Sequence, residues 1–239
     1  MMARAEIHRW GDDKIRVRPW RGESSVAYLS PVPGHTPVSL DSVHRSVAVL
    51  KARGVARVFT AAVPPPEERI LLDAGFELRE RLHLLRHDLT GLDGHPESGV
   101  KLRRARPSDR DQILVTDNAA FDPFWAMDEE ALDEAVGATP ASRVRVASDP
   151  RVVGFAVSGR AGKSGYLQRL AVAPDQQGRG IGRSLVVDGL RWMRRWGARR
   201  ALVNTQVVNE RAHQLYLRLG FVPEPHGLAV LELDLGATS

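Results

Sequence analysis

The sequence predicts a mixed α/β fold, and three observations support this prediction. Strand-like apolar runs alternate with amphipathic helical segments through the second half of the chain. Two of these apolar runs bracket Asp149-Pro150 and therefore indicate a hairpin within the sheet. A shorter copy of the same order of elements occupies roughly the first ninety residues. With 239 residues, the chain can bury a sizeable core as one large domain or two small ones.

The predicted elements of the second half follow one another from residue 100. Residues 100–104 alternate like a strand, and the helix that follows begins at Pro107 with an acidic first turn and runs to about Ala120. A loop then precedes a second helix at 128–137. The remaining predicted elements are strands at 143–147, 152–158 and 166–172, a helix ending near 196, a strand at 201–205, a helix at 210–219 and a last strand at 228–235.

The composition excludes several classes of protein. Hydrophobic residues make up 43% and charged residues 26% of the chain, which is typical of a globular protein. The absence of cysteine excludes a disulfide framework, a thiolate nucleophile and a cysteine-based zinc site. The first twenty residues are rich in charge and no apolar run approaches membrane-spanning length, so we expect a cytoplasmic protein with no membrane partner.

The net charge of +5 raises the question of a nucleic-acid partner. Most of the arginines are spread along the chain, and no aromatic RNA-binding motif or zinc spacing accompanies them. We therefore expect a solvated helix face or a surface that attracts an acidic ligand, and no nucleic-acid partner. The one dense cluster consists of Arg191, Arg194, Arg195, Arg199 and Arg200.

Residues 166–182 run from an apolar strand into a glycine-rich turn and then into an amphipathic helix. The first amides of a helix have no intrahelical partner, and the helix dipole favours negative charge beside them. Gly178, Gly180 and Gly182 would let the backbone curl so that several amides point one way, as a diphosphate requires. From this turn alone, a plain flexible turn remains the alternative. The segment lacks the Gly-Lys-Ser/Thr of a P-loop and the spacing of a dinucleotide fold.

In two motifs, residues 100–235 resemble the GNAT superfamily of acetyl-CoA-dependent N-acetyltransferases. The signature Gln/Arg-x-x-Gly-x-Gly/Ala is matched by Gln177, Gly180 and Gly182, directly after a strand. The resemblance implies a mostly antiparallel GNAT-like sheet flanked by helices and a GNAT-type acyltransferase with acetyl-CoA as co-substrate. The second motif is matched by Asn209, Ala212, Leu215, Tyr216, Gly220 and Phe221.

The resemblance also implies how the coenzyme is held. Amides of the turn and helix start would bind the diphosphate, and main-chain groups of Leu170 and Val172 would pair with the pantetheine arm like a missing strand. The Val172 amide would face the thioester carbonyl, and an amine would attack directly in a ternary complex. No cysteine or Gly-x-Ser-x-Gly offers a covalent relay. The implied coenzyme-binding residues are Leu170, Ala171, Val172, Gln177, Gly178, Arg179, Gly180, Ile181, Gly182, Arg183, Ser184, Asn209 and Tyr216.

Tyr216 occupies the family position of the general acid for the departing thiolate. The alternative is a tyrosine that packs against Leu190 and Leu219 with its hydroxyl at the surface. Asn209 would bond the pantetheine, cap the helix that contains Tyr216, or do both. Arg179 and its neighbour Arg183 would meet phosphate oxygens or be solvated.

The sequence does not identify a general base. The strand facing the acetyl group has Gln168 and Arg169, which do not accept a proton at neutral pH, and Asn204 stands where ribosomal-protein alanine acetyltransferases carry a glutamate. One alternative is water relayed by Gln168 or Asn204, and we expect His213 to be a surface residue. In the loop after the first predicted helix, Phe124-Trp125 would form an aromatic wall for the acceptor or anchor the loop in the core. The carboxylates that remain as candidates are Asp122, Asp128, Glu129 and Glu130.

The first part of the chain echoes the second. The segment from Leu71 to Phe76, Leu-Leu-Asp-Ala-Gly-Phe, resembles the segment from Tyr216 to Phe221, Tyr-Leu-Arg-Leu-Gly-Phe. The counterpart of the glycine turn, Gly34-His-Thr-Pro, keeps one glycine and ends in a proline that has no amide to donate. We therefore predict a shortened, degenerate GNAT-like domain without a coenzyme site at 1–90, a linker at 91–99 and the catalytic domain at 100–239.

Two main functions remain open from the sequence, and a nucleic-acid-associated acetyltransferase that uses the arginine cluster is a third alternative. The first is an N-acetyltransferase that acts on a primary amine, either a small molecule or a peptide N-terminus. The second is a catalytically weak module that senses acetyl-CoA, which the missing base favours. The acceptor cannot be identified, because the substrate side of the site is formed by loops, whose specificity follows no general code.

Overall fold

The computed structural model describes residues 5–32, 37–92 and 99–236. The chain divides into two compact units, one formed by residues up to 84 with 205–209 and 224 onward, and the other by 85–204 and 210–223. The last strand thus clusters with the first unit, whereas the predicted boundaries assigned it to the catalytic domain. Most of the predicted linker, 93–98, and three residues of the predicted turn counterpart, 34–36, lie outside the described residues.

The helices and strands alternate along the chain as predicted. The elements before residue 92 are β1 Glu6–Trp10, β2 Asp13–Trp20, β3 Glu23–Pro31, α1 Leu40–Ala52, β4 Arg57–Thr60, α2 Pro65–Asp73 and β5 Glu77–His87. The elements after residue 99 are β6 Lys101–Arg104, α3 Arg110–Ala120, α4 Glu129–Gly137, β7 Ala141–Asp149, β8 Arg151–Ala161, β9 Ser164–Val172, α5 Ile181–Arg195, β10 Arg200–Gln206, α6 Glu210–Arg218, β11 Val222–Pro223 and β12 Leu228–Asp234.

The first unit is built on strands in the order β1-β2-β3-β4-β12-β5. Neighbouring strands are antiparallel except β3 and β4, which are parallel and are joined through α1. Parallel neighbours need such a crossover, and a helix supplies it. The core of this unit buries Ile15, Val17, Leu29, Leu50, Val58, Leu71 and Leu231.

The second unit is built on strands in the order β10-β9-β8-β7-β6. The predicted hairpin is confirmed, because β7 and β8 are antiparallel on either side of Pro150. Strands β9 and β10 are parallel and are joined through α5. Helices α3 and α5 cover opposite faces of β8, since Phe155 packs in a cluster with Ile113 of α3 and the next residue, Ala156, in a cluster with Leu185 of α5. The predicted mixed, mostly antiparallel α/β fold is confirmed.

Candidate active site

Strands β9 and β10 separate partway along their length. Among the described residues, their parallel ladder runs from Ser164 and Arg200 to Tyr166 and Leu202, where it ends. On its other side, β9 stays paired with β8 as far as Val172. The second half of β9 therefore has one edge in the sheet and one edge that β10 does not cover.

The main-chain amides of this segment have alternating directions. The Ala173 amide donates to the Val153 carbonyl at 2.9 Å, which makes Gly154 and Val172 a pair without mutual hydrogen bonds. The N–H groups of Val172 and Leu170 therefore point away from β8, toward the uncovered edge, and the N–H of Ala171 points to β8. These are the two amides for which the resemblance implied a role at the pantetheine arm.

The glycine turn leads from this edge to the N-terminus of α5. Gly178 and Gly180 have φ angles of 84° and 77°, the left-handed region in which a side chain is strained. Gly180 is the N-cap, and no side-chain hydrogen bond caps the helix among the described residues. The first amide bonded within the helix is that of Ser184, which donates to the Gly180 carbonyl at 3.0 Å, so the amides of 181–183 lack intrahelical partners.

The other residues of the glycine turn and the start of α5 have distinct roles. Gly182 lies inside α5 without a positive φ, and a Cβ there would meet Leu215 at 3.5 Å, an ordinary contact, so the curl depends on Gly178 and Gly180. Ile181 and Ser184 are 1% and 9% exposed, so Ile181 can offer a ligand little beyond its main chain. The amides of this turn and the missing cap fit a diphosphate group.

Polar side chains fasten the turn to its surroundings. The Gln177 amide group donates to the Val172 carbonyl at 3.0 Å and accepts a hydrogen bond from Arg211 of α6. Arg179 donates to the Gln176 side chain and lies 3.7 Å from the Asp149 carboxylate. The Arg179 guanidinium, whose side chain is 51% exposed, is therefore held at the edge of the turn.

Tyr216 is buried in the core of the second unit. It is 4% exposed, shares a hydrophobic cluster with Leu190 and Leu219, and lies 5.4 Å from the Phe221 ring centroid. Burial raises the pKa of the Tyr216 phenol above its ordinary value of 10.0, and the positive charge of Arg169 opposes that rise. The phenol is therefore protonated at neutral pH, which is the state that a general acid requires.

Gln168 is the extra residue of a β-bulge. Arg169 pairs with Val157 and Leu167 with the next residue, Ser158, which leaves Gln168 unpaired between them. Its side chain lies over Gly159, where an added Cβ would come within 2.7 Å of Gln168 Oε1 and 2.3 Å of Thr139 Oγ1. Within the described part of the chain, Gln168 Oε1 is buried without a hydrogen-bond partner. Such an oxygen suits a donor supplied by a ligand.

The four acidic candidates for the general base have structural surroundings. Asp122 is exposed and accepts the Phe124 amide at 2.9 Å, and Asp128 caps α4 by accepting the Ala131 amide at 2.7 Å. Glu129 and Glu130 are exposed in the first turn of α4. The structure does not bring these carboxylates into one cluster. Asn204 is exposed on β10.

A buried ion pair that sequence reasoning missed lies beside the bulge. Arg169 Nε and Nη2 donate to Asp117 Oδ1 and Oδ2 at 2.7 and 2.6 Å, and Asp117 is fully buried. The residues are 52 positions apart, and Asp117 has no local pattern that marks it. Both carboxylate oxygens accept hydrogen bonds from the guanidinium, and Oδ2 also accepts the Met127 amide, so Asp117 is engaged in holding the fold.

The remaining predicted residues are placed as follows. Phe124 and Trp125 are half-buried and meet edge to face, with ring centroids 5.2 Å apart. His213 is half-buried in α6, so it is only partly at the surface. Asn209 belongs to the first unit, at the end of segment 205–209, and its role stays a prediction.

The described residues contain neither a metal-binding cluster nor a membrane-spanning helix. Residues 5–32, 37–92 and 99–236 contain no group of three or more histidine or acidic side chains arranged to hold a metal ion. Among the helices formed by these residues, none has the length and apolar character needed to span a bilayer.

Residues 108–221 match the family model described as "Acetyltransferase (GNAT) family". The matched region contains β9, the glycine turn and Tyr216. The matched region, residues 108–221, belongs to this family. The resemblance based on Gln177, Gly180 and Gly182 is thereby confirmed.

Individual relatives extend the similarity beyond that region. The chain is 29% identical over 187 residues to a mycothiol acetyltransferase of Amycolatopsis mediterranei, covering 69% of this chain and 61% of that protein. It is 29% identical over 204 residues to a mycothiol acetyltransferase of Stackebrandtia nassauensis, covering 79% of this chain and 66% of that protein. The matched region thus spans less than two thirds of either relative.

One solved structure shows the same fold over almost the whole chain. A tandem GNAT protein from the clavulanic acid biosynthesis pathway superposes with a TM-score of 0.70, covering 97% of this chain and 82% of that one. The sequence identity of 12% limits this likeness to the fold. The fold of the chain is therefore tandem GNAT-like.

Proposed function

We propose that the chain transfers an acetyl group from acetyl-CoA to a primary amine by direct attack in a ternary complex. The acceptor is a small molecule or a peptide N-terminus. The observation that carries the proposal is a pair of donor groups on one stretch of main chain. The first group is the amides of Leu170 and Val172 at the uncovered edge of β9, and the second is the uncapped N-terminus of α5.

In this proposal, each of the two donor groups binds a different part of the coenzyme. Amides between Gly178 and Ser184 hold the diphosphate, and Arg179 at the edge of the turn faces its charge. The main chain of Leu170 and Val172 pairs with the pantetheine arm in the manner of an added strand. When bound, acetyl-CoA supplies an acetyl group activated as a thioester.

Three groups of this chain then assist the transfer. The Val172 N–H donates a hydrogen bond to the acetyl carbonyl oxygen and stabilises negative charge there. The Tyr216 phenol, kept protonated by burial, donates its proton to the leaving sulfur. Gln168 Oε1 accepts a hydrogen bond from the amine N–H and orients the nitrogen for attack. The amine proton leaves to water, and water returns a proton to the Tyr216 phenolate, so that the amine and the thioester become an amide and a free thiol.

The comparisons support this proposal at a coarser level. The matched family is one of acetyltransferases, and the relatives named above are described as mycothiol acetyltransferases, which supports an acetyl group as the group transferred. One observation favours the second candidate, an acetyl-CoA sensor. Among the described acidic residues that the sequence suggested as the base, Asp122 and Asp128 are engaged in local hydrogen bonds and Glu129 and Glu130 are exposed.

The deciding experiment mixes the protein with acetyl-CoA and a panel of primary amines and follows free thiol. We expect thiol release that depends on one class of amine. A secondary amine with the same carbon skeleton as the best acceptor is the matched control. Tight coenzyme binding without thiol release from any amine would support the sensor, and absence of coenzyme binding would contradict both candidates.

A further inference from the structure

We propose that Asp117 and Arg169 form a positioning pair that fixes loop 121–127 against β9 and thereby sets the affinity for the acceptor amine. This inference rests on the proposed acetyl transfer. It starts from the ion pair itself, in which a guanidinium that is 14% exposed binds a fully buried carboxylate through two hydrogen bonds. Two-point binding of this kind fixes the orientation of both side chains.

The same two side chains hold the loop at three places. Arg169 Nη2 donates to the Trp125 carbonyl at 2.6 Å, and the Met127 amide donates to Asp117 Oδ2 at 2.8 Å. The guanidinium carbon of Arg169 lies 3.6 Å from the centroid of the Phe121 ring. The start and the end of loop 121–127 are therefore both fastened to one ion pair.

The position of Arg169 on β9 connects this loop to the proposed site of transfer. Arg169 directly follows Gln168, whose buried oxygen lacks a partner in the described chain, and directly precedes Leu170, whose amide faces the uncovered edge. The loop that Arg169 fastens therefore borders the stretch of β9 that would hold the acetyl group and the amine. A displacement of the loop alters the acceptor side and leaves the α5 turn untouched.

The energetics of the pair favour a positioning role over a purely stabilising one. Removing two charges from water is costly, and apolar residues of similar volume often stabilise a core equally well. What apolar residues cannot replace is the pair of hydrogen bonds to the main chain of Trp125 and Met127. The lasting effect of the pair is therefore the fixed conformation of the loop.

The test compares Arg169→Lys with the unaltered protein. Lysine keeps the positive charge and loses the fork that binds Asp117 at two points. We expect the KM for the amine to rise about tenfold or more, because small displacements of a positioning group cost that much. The Kd for coenzyme A should stay within about twofold, since the amides of α5 are unchanged. Hydrogen exchange of amides 121–127 should accelerate.

Arg103→Lys is the matched control. Arg103 binds the buried carboxylate of Asp109 through two hydrogen bonds at 2.6 and 2.8 Å, and within the described residues none of its hydrogen bonds reaches loop 121–127. This variant should lower the melting temperature without changing the KM for the amine or exchange in 121–127. If Arg169→Lys behaves like Arg103→Lys, the positioning role is overturned.

A failure of the proposed function is distinguishable from a failure of this inference. If the unaltered protein binds coenzyme A and releases no thiol, acetyl transfer is wrong, and the exchange measurement still decides whether the pair fixes the loop. Unchanged exchange in 121–127 would overturn the inference whatever the activity. Should Arg169→Lys not fold, Asp117→Asn removes one charge at equal volume and gives the same readouts.

Discussion

The N-termini of α1 and α5 occupy equivalent places in the two units, and they differ in what meets their amides. Each helix connects two parallel neighbouring strands, β3 and β4 for α1 and β9 and β10 for α5. At α1, Ser39 is the N-cap, and the Asp13 carboxylate accepts the Ser39 amide at 2.9 Å and the hydroxyls of Ser39 and Ser42 at 2.6 and 2.7 Å. At α5, Gly180 brings no capping side chain. The positive end of α1 is already neutralised from within the chain.

The strands beside the two helices differ in the same sense. Strands β3 and β4 stay paired through Leu29 and Thr60, and the Ala61 amide then donates to the Leu29 carbonyl at 2.8 Å. Strands β9 and β10 end their ladder at Tyr166 and Leu202. We expect an internal carboxylate and a closed strand pair to leave no place for a diphosphate or a pantetheine arm. That the first unit has no coenzyme site stays a prediction.

The largest predicted effect comes from giving α5 the carboxylate that α1 has. We expect Gly180→Asp to weaken coenzyme A binding roughly 10³-fold, because two charge-assisted hydrogen bonds to the diphosphate would be lost and each contributes about 2 kcal/mol. Titration calorimetry measures the change. Asparagine is also tolerated in the left-handed region, so Gly180→Asn is the uncharged control and should retain most of the affinity. Equal losses for both variants would show that backbone strain, not charge, is responsible.

A second prediction concerns two equivalent residues, Tyr216 in α6 and Leu71 in α2. Tyr216 and Leu71 are both buried, and their carbonyls accept the amides of Phe221 and Phe76 at 3.1 and 3.0 Å. The two positions differ by the phenol. We expect Tyr216→Phe to lower kcat roughly 10²-fold while coenzyme affinity barely changes, because a general acid is lost without loss of volume.

The pH profile supplies the control for this second prediction. Since burial raises the pKa of Tyr216, the acid form persists through neutral pH and the alkaline decline in kcat should begin above pH 10.0. The decline should be absent in Tyr216→Phe. Weakened coenzyme binding in that variant, with kcat retained, would mean that Tyr216 has a structural role only.

The smallest predicted effect comes from removing the carboxylate at α1. Asp13→Asn should cost about 1 kcal/mol of unfolding free energy, the usual contribution of a helix cap. Hydrogen bonds from Ser39 lower the pKa of Asp13 below 3.8, so its contribution is present at neutral pH and is lost as the pH falls through the lowered value. Urea titration at neutral and acidic pH measures both effects.

The same variant also sharpens the comparison between the helices. Asp13→Asn should not create a second coenzyme site, because β3 and β4 remain paired. Binding of two coenzyme molecules per chain would show that the carboxylate alone had prevented coenzyme binding in the first unit.

Local patterns made part of the site predictable. The glycine turn, the direction of the helix and the amides of Leu170 and Val172 follow from residues close together in the sequence and from the period of a strand. The two-unit tandem fold was predictable for the same reason, since the two parts of the sequence repeat the same order of strands and helices. Tyr216 was singled out by the resemblance of its segment, with Gly220 and Phe221, to the second family motif, since the helix period alone favoured a residue that only packs.

The parts that were missed depend on distant contacts. Asp117 and Arg169 are 52 residues apart, and Asp13 and Ser39 are 26 apart, so no helix or strand period relates them. The assignment of β12 to the first unit depends on which strands β12 pairs with, and an alternating pattern does not encode a partner. Gln168 was noted for its chemistry, but the bulge that buries its oxygen is a property of the β8–β9 register.

A crystal structure with coenzyme A tests the central claim most directly. The account predicts one coenzyme molecule, with its diphosphate within hydrogen-bond distance of amides between Gly178 and Ser184 and its pantetheine beside Leu170 and Val172. A diphosphate at the N-terminus of α1, or at any place away from the α5 turn, would contradict the account.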